Sequence, residues 1–115
     1  MIGKANRFHG LGSLRPVYTH GRAIRGQIMS TKYLLNNRRS SYRIAVVVSK
    51  KVHKSAVVRN RIRRRLYEII RQESGRITKP YDIVVSVYQD KAATIPSPEL
   101  AEALIQQLTQ AGVLS

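Results

Sequence analysis

Five arginines fall within seven residues, Arg59 to Arg65, in a stretch whose apolar side chains return with helical spacing. Val58, Ile62, Leu66, Ile69 and Ile70 form one stripe of that helix, predicted from Ser55 to about Glu73 with Gly75 as its stop. Cations in the first turns face the positive end of the helix dipole and weaken it slightly. A sequence that keeps them there has placed them for a partner, because unpaired backbone N–H groups, the dipole and arginine forks all attract an anion to one place.

The stripe must be buried, and the preceding residues supply a surface to bury it on. Tyr42 to Ser49 is a β-branched run with the continuity of a buried strand. Residues 24–35 suit another extended strand, and the polar turn 36–41 between the two suggests a hairpin. Asp82 to Tyr88 reads as a further short strand. Leu11, Leu14, Val17 and Tyr18 predict a short helix over about 13–20 ending at Gly21. A last helix is expected with Ser97 as N-cap, Pro98 at its first position, Leu100, Leu104 and Leu108 as its stripe, and Gly112 as terminator. Residues 1–12 read as a basic arm. The order is that of one α+β sandwich-like domain over residues 1–115.

Charge is distributed unevenly along this order. The net charge is +15, yet residues 1–67 hold 17 Lys and Arg and no acid, whereas residues 68–115 hold 4 basic and 6 acidic side chains. Self-repulsion of that size implies a neutralising polyanion, and nucleic acid is the first candidate. An anionic membrane is a poorer one, because the cations are not confined to one amphipathic helix bearing Trp or Phe. No apolar run approaches the length of a membrane span or forms a signal core, and there is no cysteine, so the cytoplasm is the expected compartment.

For catalysis the ingredients are poor: there is no carboxylate pair, nucleophile elbow or phosphate loop. His9, His20 and His53 have no metal-ligand spacing, so neither a metal site nor an intrinsic cofactor is expected. The segment Lys50 to Arg65 carries eight basic side chains and is the expected RNA-binding surface: Lys50, Lys51, Lys54, Arg59, Asn60, Arg61, Arg63, Arg64 and Arg65. At about 100° per residue, Asn60, Arg63, Arg64, Tyr67 and Arg71 lie opposite the apolar stripe, with Arg59, Arg61 and Arg65 flanking it. Tyr18, Tyr33, Tyr42, Tyr67 and Tyr88 offer rings on which unpaired bases could stack, although half-buried packing is the commoner role of tyrosine.

These residues resemble a known signature. Ser49-Lys50-Lys51, then Ala56-Val57-Val58-Arg59-Asn60-Arg61-Ile62-Arg63-Arg64 and Glu68, are similar to the motif of the bacterial ribonuclease P protein subunit family. The flanks Asn6-Arg7-Phe8, Val17-Tyr18-Thr19-His20-Gly21 and Tyr81-Asp82-Ile83-Val84-Val85 agree with it. The resemblance implies an αβββαβα order over residues 6–112, with a small central sheet packed by helices in a two-layer sandwich like domain 2 of ribosomal protein S5. It also implies an accessory role in an endoribonuclease. A partner catalytic RNA, with Mg²⁺ bound mainly by that RNA, would remove the 5′ leader of precursor tRNA.

By position in the motif, Arg59, Asn60, Arg61, Arg63 and Arg64 take the role of the RNA-facing helix, with Lys50, Lys51 and Lys54 as its basic approach. Arg7, Phe8, Leu14, Tyr18, Tyr33 and Tyr67 are the residues expected at the leader cleft between the sheet and the first helix. The chain departs from the family pattern at Tyr67, where Arg is usual, at Arg65, where an apolar residue is common, and at Leu14, which replaces a phenylalanine. Either Lys32 or Tyr33 faces the cleft, because a shift of one residue exchanges the faces of a strand. Two other classes compete: a ribosomal or other structural RNA-binding protein, and a DNA-binding helix protein. The second is weaker because one amide offers little base reading.

Overall fold

In the computed structural model, which describes residues 6–8 and 14–115, the apolar runs assemble around one four-stranded sheet. Helix α1 (Arg15–His20) leads into β1 (Arg22–Arg25), β2 (Met29–Leu35) and β3 (Arg43–Val47). Helix α2 (Ala56–Glu73), a 3-10 turn at Ser74–Arg76, β4 (Tyr81–Val87), a second 3-10 turn at Asp90–Ala93 and α3 (Ser97–Gln110) complete the order. Its helices and strands follow the αβββαβα order and the α+β class. Most of the expected arm, together with Leu11, lies outside the described residues.

The strands stand in the order β1-β2-β4-β3. The expected hairpin between β2 and β3 is therefore not formed. Strand β4 inserts between them, antiparallel to β2 with Met29 opposite Val87 and Leu35 opposite Tyr81, and parallel to β3 with Ile44 opposite Ile83. Its composition explains the central place: Ile83, Val84 and Val85 are fully buried, so both faces of this strand require cover. Joining β3 to a parallel neighbour needs a long crossover, which α2 provides.

The hairpin that does form lies inside the segment expected as one strand. Residues 24–35 divide at Gly26, whose N–H donates to the Met29 carbonyl at 3.0 Å, and β1 returns along β2 with Arg22 opposite Tyr33. A Cβ at Gly26 would stand 2.5 Å from the Gln107 amide nitrogen, so the turn and α3 approach too closely for any other residue without a shift.

One face of the sheet carries the main core. Ile44, Val46, Ile83, Val85 and Met29 meet Ile62, Leu66 and Ile70 of α2 and Leu100, Leu104 and Leu108 of α3. Gln107 ties α3 to β2, accepting from Thr31 Oγ1 and donating to the Met29 carbonyl, both at 2.8 Å. The other face is covered in part by α1, where Leu14 and Val17 pack on Val84 with Phe8, Ala45 and Val47 at the margin.

The two ends of α3 differ in how well they match expectation. Ser97 is the first helical residue rather than the N-cap. Pro96 holds the cap position and no side chain caps the helix. Gly112 does terminate it, at φ +80°, with Val113 N–H donating to the Leu108 carbonyl and Gly112 N–H to the Thr109 carbonyl in a Schellman arrangement.

Candidate nucleic-acid interface

The basic segment leaves the sheet at the end of β3 and turns into α2 through residues 48–55, and its own side chains hold that turn. Val52 N–H donates to the Ser49 carbonyl at 3.0 Å, and Ser55 N–H to His53 Nδ1 at 3.0 Å. Ser55 is the N-cap of α2, its hydroxyl accepting from Val58 N–H at 3.4 Å. Arg59 donates to the carbonyls of His53 at 2.9 Å and Lys54 at 2.8 Å. Arg63 reaches the Val48 carbonyl at 3.5 Å and also donates to Asn60 Oδ1.

This divides the arginines, which sequence alone could not do. Arg59 and Arg63 are half-buried and hold the loop, while Asn60, Arg61 and Arg64 are exposed with Lys50, Lys51 and Lys54. Neither Arg61 nor Arg64 has a hydrogen-bond or ion-pair partner among the described residues. Arg65, expected on the RNA surface, turns the other way: it is half-buried and donates to the Ala92 carbonyl at 2.6 Å and to the Ile95 carbonyl. Its position beside the apolar stripe aims it at the second 3-10 turn rather than at solvent.

No acid stands in the first turn of α2. The first acid in the chain, Glu68, is held by Arg71 at 2.5 Å, and that hydrogen bond keeps its carboxyl below the usual carboxylate range. The N-terminal turns thus present cations and unpaired backbone donors together, the arrangement that binds phosphate. Val57, 65% exposed, lies on the same outer side.

The residues expected at the leader cleft do not all share a face. Phe8, Leu14 and Tyr18 do. Leu14 is buried under α1, Phe8 packs beside Ala45 and Val47 with the Arg43 guanidinium 4.4 Å from its ring centroid, and Tyr18 is 43% exposed. Tyr33 is on the opposite face, packed against the main core and set edge-to-face with Tyr81 at 6.2 Å between centroids. Lys32 takes the place by the cleft, its ammonium 5.2 Å from the centroid of the Tyr18 ring.

Tyr67 is also displaced from its expected position opposite the stripe. It packs against the core, and its hydroxyl accepts from Val46 N–H on the outer edge of β3. Arg7 joins it there: its backbone bridges to Ile44, and its guanidinium carbon lies 5.5 Å from the Tyr67 ring centroid. Both therefore stand on the α2 side of the sheet edge. Sequence reading missed Ser30, Ser86, Ala45 and Val47, which the register and strand alternation place on the cleft face with Val84. Among the described residues, no three His, Asp or Glu side chains gather into a metal-binding group. No described helix is long and apolar enough to cross a membrane.

Comparison with known proteins agrees with this architecture. The family model described as Ribonuclease P matches residues 2–112. The ribonuclease P protein component of Pseudanabaena sp. is 37% identical over 115 residues, covering 99% of this chain and 97% of the relative. That of Symbiobacterium thermophilum is 32% identical over 111 residues, covering 96% and 95%. The solved Staphylococcus aureus RNase P protein superposes with a TM-score of 0.86 at 25% identity, covering 97% of this chain and 100% of that one. With its arginine helix, sheet order and nearly full-length match, the chain belongs to the ribonuclease P protein component family.

Proposed function

We propose that this chain is the protein subunit of a ribonuclease P holoenzyme, acting in maturation of the tRNA 5′ end. It binds a catalytic RNA through the exposed side of the α2 N-terminus. The observation that carries this reading is the division of the arginines: Arg59 and Arg63 brace the turn, so that Arg61, Arg64 and the lysines of residues 50–54 are held outward and open to a partner. Bracing of this kind lowers the entropy lost when phosphates bind.

The single-stranded leader of precursor tRNA runs along the open part of the sheet beside α1. Phe8, Tyr18, Lys32 and Val47 offer it apolar and aromatic walls with one cation, and such walls tolerate any base sequence. Hydrolysis of the phosphodiester belongs to the RNA, and the Mg²⁺ it requires is held mainly by that RNA. The protein positions the two RNAs and screens their mutual repulsion.

Reconstitution tests this assignment. The purified protein alone should cut nothing, and addition of a bacterial-type catalytic RNA should restore 5′ processing at Mg²⁺ concentrations too low for the RNA alone. No stimulation anywhere in a Mg²⁺ titration overturns the assignment. Preference for ribosomal fragments over leader-bearing precursor tRNA in competition at fixed salt would favour a structural RNA-binding protein instead.

A further inference from the structure

At the end of the sheet away from residues 50–64, a hollow of about 310 Å³ opens between the termini of several elements. Tyr33 and Tyr81 form its aromatic wall and Leu35, 42% exposed, its apolar lip, while His20 and Arg22 stand at the rim. The register fixes its place: Leu35 pairs with Tyr81 and Arg22 with Tyr33, whereas the basic turn begins beyond Val47, which pairs with Ser86. At about 3.3 Å per residue the two ends of β4 are roughly 20 Å apart, so this is a separate surface from the α2 interface.

We propose that this hollow is a second RNA contact, seating one unpaired base against Tyr33 and Tyr81 with the adjoining phosphate on Arg22 and His20. Tyr33 and Tyr81 are only partly buried, so an edge-to-face pair with room for a third ring lines the hollow, and Leu35, 42% exposed, supplies an apolar lip beside it. Charge selects the occupant. Exposed Arg38 and Lys79 lie in the loops at the same end, which are joined by the Asn36 N–H bond to the Pro80 carbonyl at 2.9 Å. The nearby acids are already occupied, Asp82 with Arg43 and Glu73 with Arg76. An aromatic hollow inside a cationic rim matches a single-stranded polyanion that carries rings, and matches an apolar peptide poorly. The inference goes beyond the holoenzyme assignment and does not depend on the α2 surface.

The test is an NMR titration of the full chain with an oligouridylate and an oligoadenylate of about eight nucleotides, a length within single-strand site sizes. Saturable upfield shifts of the Tyr33 and Tyr81 ring protons and the Leu35 methyls are expected. They should persist in the Arg61→Ala/Arg64→Ala double variant, where binding at α2 is weakened. Tyr33→Leu should raise the dissociation constant of this site by roughly five- to a hundredfold, and Tyr33→Phe should leave it unchanged. Because Tyr33→Leu could also unsettle the core, Arg22→Gln provides an independent surface variant, expected to weaken binding and flatten its salt dependence. Shifts confined to the α2 surface and the α1-side face overturn the proposal, as do Leu35 shifts that follow protein concentration without RNA, which would indicate a second copy of the chain.

Discussion

The hydroxyl of Tyr67 accepts a hydrogen bond from the backbone N–H of Val46 at 3.1 Å, so a side chain of α2 closes part of the outer edge of β3 beside the Arg7 bridge to Ile44. Tyr67→Phe keeps the ring and removes this acceptor. Stability should fall by about 1 kcal/mol, the net value of one such bond at a partly solvated edge. Affinity for a leader-bearing precursor tRNA should not change. Urea denaturation and a binding titration check both, and a loss of affinity at unchanged stability would return Tyr67 to the substrate surface.

Arg43 and Asp82 form a two-point ion pair, Nε to Oδ1 at 2.9 Å and Nη2 to Oδ2 at 2.8 Å, and Asn36 adds a third bond at 3.0 Å. Asp82 is 2% exposed. Asp82→Ala leaves the arginine without its counter-charge and should cost about 3–5 kcal/mol, much of the stability usual in a domain of this size. The double variant Arg43→Met/Asp82→Leu removes both charges and should recover most of that loss. A double variant as unstable as Asp82→Ala would show that the pair itself, rather than the orphaned charge, stabilises the sheet.

Arg61 and Arg64 differ from Arg65 in what they can reach. Arg61→Ala and Arg64→Ala should each lower the slope of log affinity against log salt by about 0.7–0.9 for every phosphate no longer bound, with little change in folding stability. Arg65→Ala should leave the slope alone and reduce stability by about 1–3 kcal/mol, because the Ala92 and Ile95 carbonyls lose their donor. Measuring both quantities for all three variants separates the roles, and a slope change at Arg65 would overturn its inward assignment.

Tyr42 supplies a pH dependence. Burial pushes its phenol above the ordinary tyrosine value of 10.0, and a hydrogen bond with Ser74 offsets only part of that shift. The folded state therefore prefers the neutral ring. Its contribution to stability is complete below about pH 10 and is lost as pH rises through the folded-state value, because the unfolded chain ionises first. Tyr42→Phe should make the decline in the urea midpoint above about pH 10 shallower. An equally steep decline would assign the alkaline sensitivity to other groups.

Helix α2 was legible because two independent periodicities agree in it: an apolar stripe every three to four residues, and the run of arginines on the remaining faces. The same regularity misled at the flanks. Residues at the margin of a stripe can lean either way, so Arg65 and Tyr67 are assigned only once the second 3-10 turn and the edge of β3 are in place beside them. Tyr33 shows the corresponding limit in a strand. Segment 24–35 has two faces of mixed character, and nothing in the local pattern distinguishes Lys32 from Tyr33 as the residue beside α1.

The sequence by itself determined the helices, the cationic character of the N-terminal half and the helix that presents it, because these follow from local periodicity and charge count, whereas local pattern read β1 and β2 as one strand. The strand order was decided only by tertiary structure. Pairing is a contest among all available edges, and β4, buried on both faces at Ile83, Val84 and Val85, takes the centre that the short path from β2 to β3 would have given to a hairpin. That insertion sets Tyr33 beside Tyr81 and Lys32 over Tyr18, and so decides which side chains each face of the sheet presents.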